Sequence, residues 1–261
     1  GDAVPEGAGE LKLEHVTFKY SESGRKVLDD ISLSVKPGEH IAIVGYNGAG
    51  KTTLIKLLMR LYDPTSGSIS YHGRNITELC PNDYHKRIGV VFQDYQMFGA
   101  NLAENVVMDD LPKDELDTRA PQITAALTDA GFAQKLARLP YGLFTQVTTE
   151  FDKKGVDFSG GESQKVAISR AFYKKADILI MDEPSSALDP IAEYELNKAM
   201  ESAAKGKTVF YISHRLSTTR DADRIIMLER GHIIEEGTHT ELLARNGKYA
   251  EMWNAQAGKY N

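Results

Sequence analysis

The segment from Gly45 to Thr52, Gly-Tyr-Asn-Gly-Ala-Gly-Lys-Thr, most constrains how this chain can fold. It matches the pattern G-x-x-x-x-G-K-[ST]. Residues 41–44 before it are apolar and partly β-branched, which predicts a buried strand, and residues 53–59 after it are apolar at helical spacing. Because a glycine-rich turn lies between a predicted strand and a predicted helix, the segment is interpreted as a phosphate-binding loop, or P-loop.

The residue types of this loop suit a bound polyphosphate. Glycines let backbone N–H groups approach phosphate oxygens closely, and the N-terminus of the next helix adds donors and a positive dipole end. Lys51 can neutralise β- and γ-phosphates, and the Thr52 hydroxyl can ligate Mg²⁺. We therefore predict that the nucleotide phosphates contact Gly45, Asn47, Gly48, Ala49, Gly50, Lys51, Thr52 and Thr53.

Size and composition limit the class of protein. A chain of 261 residues is long enough for one compact unit with an inserted subdomain. A net charge of −6 disfavours a sequence-independent nucleic-acid surface. Cys80 is the only cysteine, so an intrachain disulfide is excluded, which suits a reducing compartment.

The sequence contains no apolar run long enough to cross a bilayer and no visible signal peptide. Because it starts with Gly1 rather than methionine, we expect it to be part of a longer protein, with any membrane part outside this sequence.

The sequence pattern predicts an α/β fold built in three parts. Residues 1–10 are interpreted as a linker or frayed terminus, and residues 11–261 as the folded domain. Alternating strands at 11–18 and 31–35 predict an N-terminal antiparallel β subdomain. Apolar strands around and after the P-loop predict a core with a mostly parallel sheet, and the helical pattern of about 95–174 predicts an inserted α-helical subdomain.

Four polar residues directly follow predicted parallel strands, at the edge where such sheets bind ligands. Gln93 can offer its carbonyl oxygen to Mg²⁺ or water, or it caps a strand. Asp182 can hold Mg²⁺ and Glu183 can orient a water for attack, although a solvated loop start is the structural alternative. His214 either contacts the γ-phosphate or is structural.

Two further features have open alternatives. Tyr20 ends the first strand, where it either stacks on adenine or lies on the rim of the core. Ser159-Gly160-Gly161-Glu162 opens a helix expected from Ser163; Ser159 and Glu162 fit a capping box, but adjacent glycines also suit close approach of an anion. Arg170 on that helix is interpreted as exposed or salt-bridged rather than catalytic.

The order of these motifs, from about Leu11 to Trp253, resembles an ATP-binding cassette, the nucleotide-binding domain of an ABC transporter. The resemblance implies ATP and Mg²⁺ as ligands and a role for each motif. These roles are adenine stacking by Tyr20, Walker A for residues 45–53, Q-loop and Mg²⁺ contact for Gln93, signature motif for Ser159, Gly160 and Gly161, Walker B for Asp182, catalytic glutamate for Glu183, D-loop for Asp189 and switch histidine for His214.

The resemblance also implies partners. Two cassettes, identical or not, would pack head to tail, so that the signature of one faces the ATP of the other. Residues 93–98, 101–105 and 213–218 resemble exporter cassettes, which implies a transmembrane domain, fused or separate, and a place on the cytoplasmic side of a membrane. No nucleic-acid partner is expected.

Two residues depart from the family pattern. The fifth signature position, usually Gln, is Glu162, and Lys153 stands where an acidic residue normally communicates with the membrane domain.

The alternative function is a soluble ABC-type ATPase acting on nucleic acid or the ribosome, but such proteins usually have two cassettes or a long coiled coil. A P-loop kinase would lack the signature, and a degenerate binding module would lack Lys51, Asp182, Glu183 or His214.

Overall fold

The structure is a computed structural model that describes residues 1–91, 96–150, 152–182 and 190–259. Its strands are β1 (Leu11–Phe18), β2 (Leu28–Val35), β3 (His40–Val44), β4 (Ser66–Tyr71), β5 (Arg74–Asn75), β6 (Ile88–Val91), β7 (Ile178–Asp182), β8 (Thr208–Ser213), β9 (Arg224–Glu229) and β10 (His232–Gly237). Its α-helices are α1 (Lys51–Leu58), α2 (Pro81–Lys86), α3 (Leu102–Val107), α4 (Lys113–Asp129), α5 (Ala133–Arg138), α6 (Gly160–Lys174), α7 (Pro190–Ala204), α8 (His239–Ala244) and α9 (Lys248–Ala257).

The chain divides into two compact units, which are described separately. The first contains Gly1–Ile88 and Gly206–Asn261, and the second contains Gly89–Lys205. The division groups β3, which leads into the P-loop, with its neighbours β8 and β9. The residues of β8 and β9 lie more than 160 positions after the β3 residues with which they pair.

The first unit contains an antiparallel sheet in the order β2-β1-β4-β5. Leu13 of β1 pairs with Leu33 of β2 and Ile69 of β4, and all three side chains are buried. The alternation of apolar and polar residues along these strands places one face on the core. The predicted N-terminal antiparallel sheet is confirmed, although β2 begins at Leu28 rather than Ile31.

The same unit contains strands in the order β10-β9-β3-β8. β3 runs parallel to both β8 and β9, whereas β10 returns antiparallel to β9 through a turn at Arg230 and Gly231. Residues 41–44 of β3 are fully buried, as expected for a central parallel strand covered on both faces. This pairing confirms the predicted parallel strands around the P-loop.

The second unit is mainly helical among its described residues. Helices α3 to α6 share an apolar core that includes Leu102, Ile123, Leu127 and Val166, and strands β6 and β7 are neighbours in their sheet. The predicted start of α6 at Ser163 was wrong, because the helix begins at Gly160 directly after its cap. The assignment of about 95–174 as an inserted subdomain stays a prediction.

The N-terminal segment is hydrogen-bonded to the first unit. The Asp2 N–H donates to the Glu78 carbonyl at 2.9 Å, and the Asp2 carbonyl accepts from the Cys80 N–H at 2.7 Å. Asp2 also forms an ion pair with Arg74 at 2.8 Å, and the Val4 side chain is buried. The segment therefore lies against the chain after β5 in this structure, while its role as a linker stays a prediction.

In the part of the chain that the structure describes, no helix combines the length and the apolar character that crossing a membrane requires.

The C-terminus of the P-loop helix is fixed by a tyrosine from α2. Tyr84 is fully buried, and its hydroxyl donates to the Leu58 carbonyl at 2.5 Å. Carbonyls in the last turn of a helix have no partner within the helix, so this hydroxyl satisfies a group that would otherwise be buried alone. Burial raises the pKa of Tyr84 above its ordinary value, so the hydroxyl stays a donor.

We expect Tyr84→Phe to lower the free energy of unfolding by about 1–3 kcal/mol, because it leaves a buried carbonyl without its donor. Urea unfolding followed by circular dichroism measures the change. The control is Tyr62→Phe, since the Tyr62 ring is 44% exposed; it should change the free energy by less than about 0.5 kcal/mol. Equal losses in the two variants would contradict this account of the helix end.

Candidate active site

The loop between β3 and α1 can be built only with glycine at two positions. Gly45 has φ 153°, and a Cβ there would lie 2.4 Å from the Leu228 carbonyl oxygen. Gly50, the N-cap of α1, has φ 109°, and a Cβ there would lie 2.8 Å from Cδ2 of Leu28. Left-handed backbone and close approach both exclude side chains here, so the loop exposes main-chain N–H groups instead.

Charged and hydroxyl side chains surround this backbone. Lys51, the first residue of α1, donates from Nζ to the Gly45 carbonyl, so its ammonium group folds back over the loop. Thr52 is exposed at the helix N-terminus, and Thr53 is buried beneath it. The helix N-terminus, the ammonium group and the N–H groups together form a site that favours an anion.

A cavity of about 470 Å³ opens over the loop. This volume is within the range of small-molecule sites, roughly 300–1,000 Å³. Its lining is formed by Tyr20, Ser21, Gly24, Arg25, Val27, Asn47, Gly48, Ala49, Gly50, Lys51, Thr52 and Thr53. The structure therefore brings together Tyr20 and all the predicted loop residues except Gly45, which does not line the cavity. Four lining residues were not predicted from the sequence, in which the only signal was their position just after Tyr20: Ser21, Gly24, Arg25 and Val27.

Tyr20 lines this cavity and belongs to a cluster of aromatic rings. Its hydroxyl is 2.9 Å from the Thr53 hydroxyl, and its ring packs edge-on against Phe18 and Tyr62. The side chain is nevertheless 53% exposed, so ring surface remains accessible to a ligand. The geometry fits both alternatives from the sequence, and adenine stacking stays a prediction.

His214 leaves the sheet beside the P-loop. Ser213, the last residue of β8, pairs in parallel with Val44, the last residue of β3. His214 and Gly45 therefore follow their strands at the same edge, and the His214 side chain is exposed there. The prediction that His214 contacts a γ-phosphate is consistent with this position but is not tested by it.

The structure describes only part of the remaining predicted active site. Gln93, Glu183 and Asp189 lie outside the described residues. Asp182 is the last residue of β7 in the second unit, where it is partly buried.

The signature residues lie at the N-terminus of α6. Ser159 is the N-cap, followed by Gly160 and Gly161 in the first turn. The Ser159 hydroxyl accepts from the Glu162 N–H at 3.2 Å, and the Ser159 N–H donates to the Glu162 carboxylate at 2.9 Å. The predicted capping box is confirmed, and it explains how a helix can begin with two glycines.

The Glu162 carboxylate is held by groups within the second unit. Lys135 of α5 forms an ion pair with it at 3.2 Å. Partial burial acts to raise the pKa of Glu162, but hydrogen bonds from Ser159 and the interaction with Lys135 outweigh burial, so the pKa lies below its ordinary value. The negative charge at this departure from the family pattern is thus partly neutralised by Lys135.

Arg170 of α6 differs from its predicted surroundings. Its Nε donates to the Asn105 carbonyl at 2.7 Å and its Nη2 to the Gln96 carbonyl at 2.9 Å. The guanidinium carbon also lies 5.8 Å from the centre of the Phe98 ring. Burial lowers the pKa of Arg170 to about 10. Arg170 therefore ties the signature helix to the segment that follows Gln93, which the sequence did not indicate.

Comparison with known proteins places this geometry in context. A family model described as ABC transporter matches residues 28–186. An ATP-dependent lipid A-core flippase from Ralstonia nicotianae is 43% identical over 98% of this chain and 42% of its own length. A protein of the same description from Burkholderia pseudomallei is 40% identical, with the same two coverages.

A solved structure shows the same relationship in three dimensions. A bacterial Atm1-family ABC exporter with ATP bound matches with a TM-score of 0.84 and 36% identity, over 98% of this chain and 43% of that chain. This chain therefore spans about two-fifths of the length of the relatives it matches.

We expect Glu162→Gln to lower the free energy of unfolding near neutral pH while preserving the capping box, because Gln keeps an acceptor but loses the charge that pairs with Lys135. A carboxyl whose pKa is lowered on folding stabilises the protein above its unfolded pKa, about 4.3, and loses that contribution as pH falls through the folded pKa. The difference between wild type and variant should therefore shrink as the pH falls below about 4.3 and disappear once the pH is below the lowered pKa of Glu162 in the folded protein.

Urea unfolding measured at several pH values tests this. Glu22→Gln is the matched control, since Glu22 lies exposed in a turn of the first unit. A difference for Glu162→Gln that does not depend on pH would show that the charge is not what matters at this position.

Proposed function

The chain belongs to the ABC transporter family, and on this premise we propose that it is the nucleotide-binding domain of an exporter, which hydrolyses ATP to drive transport by a longer protein. The observation that carries the proposal is the single cavity shared by Tyr20 and the P-loop. The lining of that cavity combines an aromatic ring with main-chain N–H groups of the loop and with Lys51.

The base and the phosphates of ATP match the aromatic ring and the loop residues of this lining. The base would stack on Tyr20, whose orientation is supported by its contacts with Phe18 and Thr53. The phosphates would accept hydrogen bonds from the loop N–H groups, and Lys51 would move its ammonium group from the Gly45 carbonyl to the β- and γ-phosphates. Arg25 lines the same cavity and adds a positive charge.

Mg²⁺ would depend on the nucleotide as well as on the protein. Among the described residues, no group of three His, Cys, Asp or Glu side chains could hold a metal ion by itself. This pattern suits Mg²⁺, which is commonly held by one or two protein oxygens together with phosphates. We propose Thr52, Gln93 and Asp182 as its ligands; when bound, the ion neutralises charge on the β- and γ-phosphates.

Hydrolysis would require a positioned water. Glu183, next to the proposed metal ligand Asp182, would accept a hydrogen bond from the water and aim it at the γ-phosphate. His214 would contact the same phosphate from the end of β8, the strand paired with β3. Gln93, in the Q-loop, would contact Mg²⁺, and Asp189, in the D-loop, would contact the nucleotide.

A second cassette would complete the site. The N-terminus of α6 presents Ser159, Gly160 and Gly161, whose N–H groups and helix dipole favour an anion. We propose that this tip binds the γ-phosphate held by a partner cassette, identical or not, and that hydrolysis loosens the pair. Lys135 supports this role by balancing the Glu162 charge behind the tip.

The membrane partner would be a transmembrane domain, fused or separate, which holds this chain at the cytoplasmic face. Support comes from the exporter relatives and from the two-fifths of their length that the chain spans. Because the curated relatives are lipid A-core flippases, a lipid is the first substrate class to test. The same relatives disfavour the alternative of a soluble ATPase acting on nucleic acid or the ribosome.

We expect Glu183→Gln to reduce ATP turnover at least about 100-fold, because the water loses the group that orients it. ATP binding and ATP-dependent dimerisation should persist. Phosphate release and size-exclusion chromatography with Mg²⁺-ATP measure the two properties. Glu201→Gln, an exposed position on α7, is the control. Vigorous hydrolysis by Glu183→Gln would remove Glu183 from this role.

We expect Ser159→Arg to block turnover without weakening ATP binding by the monomer, because the added side chain obstructs the signature tip. Lys51→Ala should instead weaken ATP binding, because the phosphates lose a charge partner. Mixing the two inactive variants tests whether sites are composite: a mixed pair contains one intact P-loop facing one intact signature, so partial activity should return. No recovery, despite demonstrated mixed pairs, would contradict head-to-tail sites.

A further inference from the structure

We propose that Gln256, near the end of α9, is a positioning residue that holds the loop carrying His214, so that the C-terminal helix influences the rate of ATP hydrolysis. The loop is defined here as residues 213–218, between the end of β8 and the turn before β9. The inference rests on the proposed ATPase function and assigns a role to a helix outside the predicted site.

The side-chain amide of Gln256 bonds to the main chain on both sides of Arg215. Its Nε2 donates to the His214 carbonyl, and its Oε1 accepts from the Leu216 N–H at 2.9 Å. The nitrogen can only donate and the oxygen can only accept, so the two bonds together fix one orientation of the amide. A single side chain therefore restrains the peptide groups on both sides of Arg215.

Apolar contacts join the same loop to the same helix. Leu216 is fully buried in a cluster that includes Tyr249 and Met252 of α9, and Trp253 packs against that cluster. Within the loop, the Arg215 N–H donates to the Ser213 hydroxyl at 2.8 Å. His214 is exposed between these anchors. The position of its backbone thus depends on α9 as well as on β8.

A cavity lies beside these contacts. It has a volume of about 540 Å³ and is lined by residues of both the loop and α9, among them His214, Ser217, Trp253 and Gln256. The space next to the amide is therefore not filled by close packing. The two Gln256 hydrogen bonds restrain the loop beside this space. Their loss would remove the restraint that the Gln256 side chain places on the main chain at His214 and Leu216.

The test is steady-state ATP hydrolysis by the 261-residue chain. We expect Gln256→Ala to lower kcat about tenfold, which corresponds to about 1.4 kcal/mol, because the active arrangement of the loop loses both main-chain hydrogen bonds. The KM for ATP should change less than about twofold, because the P-loop cavity is not altered. Gln256→Met, which keeps the side-chain length but neither hydrogen bond, should behave alike and guards against a folding defect.

A matched control is available on the same helix. Asn254 is exposed on α9, and Asn254→Ala removes an amide without touching the loop. Its kcat should remain within about twofold of wild type, a change of less than about 0.5 kcal/mol. In a His214→Ala background, Gln256→Ala should cause no further loss, because a residue that acts only through His214 cannot act in its absence.

Fluorescence gives a second readout, which is the change in emission that the nucleotide causes in the folded protein. Trp253 is the only tryptophan of the chain and lines the cavity together with His214 and Gln256. Mg²⁺-ATP should shift its emission in wild type, and the shift should be lost in Gln256→Ala although a fluorescent ATP analogue still binds.

Three results would overturn the proposal: an unchanged kcat in folded Gln256→Ala, an equal loss in Asn254→Ala, or a full additional loss in the His214→Ala background. If wild type hydrolyses no ATP, both the proposed function and this inference are wrong. If wild type is active and Gln256→Ala equals it, only this inference fails.

Discussion

The parallel pairing of β3 with β8 and β9 is the constraint on which the rest of the structure depends. Parallel strands deliver their C-terminal ends to one edge, and this pairing brings the P-loop and His214 together from positions far apart in the chain. Because residues 41–44 are buried on both faces, a register shift would expose no polar group but would move Gly45 away from Leu228, whose carbonyl it contacts closely. Loop geometry therefore fixes a register that apolar burial on both faces leaves open.

The two helix N-termini of the predicted site are built in different ways. The loop that precedes α1 has glycines at positions where a side chain would not fit. Its main-chain N–H groups and Lys51 are therefore accessible from the cavity. The N-terminus of α6 begins with a capping box, in which Ser159 and Glu162 satisfy each other. The carboxylate is turned back toward its own helix cap and Lys135, so its charge is balanced locally. The departure from the usual glutamine is therefore accommodated by contacts within the second unit.

Much of the fold could be predicted because it follows from short-range patterns. The apolar residues 41–44, the alternation of β1, and the Ser159–Glu162 spacing are all local, and each has one favoured structure. The contacts missed from sequence join distant segments: Lys135 with Glu162, Arg170 with Gln96, and Gln256 with Leu216. Such pairs have no periodicity or fixed spacing, since tertiary packing brings them together. The helix α6 begins earlier than predicted, at Gly160, because the stabilisation from its cap outweighs the weak helix propensity of the two glycines.

The docked N-terminal segment has a mechanical consequence. Asp2 is bonded on both sides of Leu79, and the helix α2 that follows carries Tyr84, which holds the last turn of the P-loop helix through Leu58. A pull applied to the first residues would be resisted first by these short contacts and would then load α2 and the far end of α1.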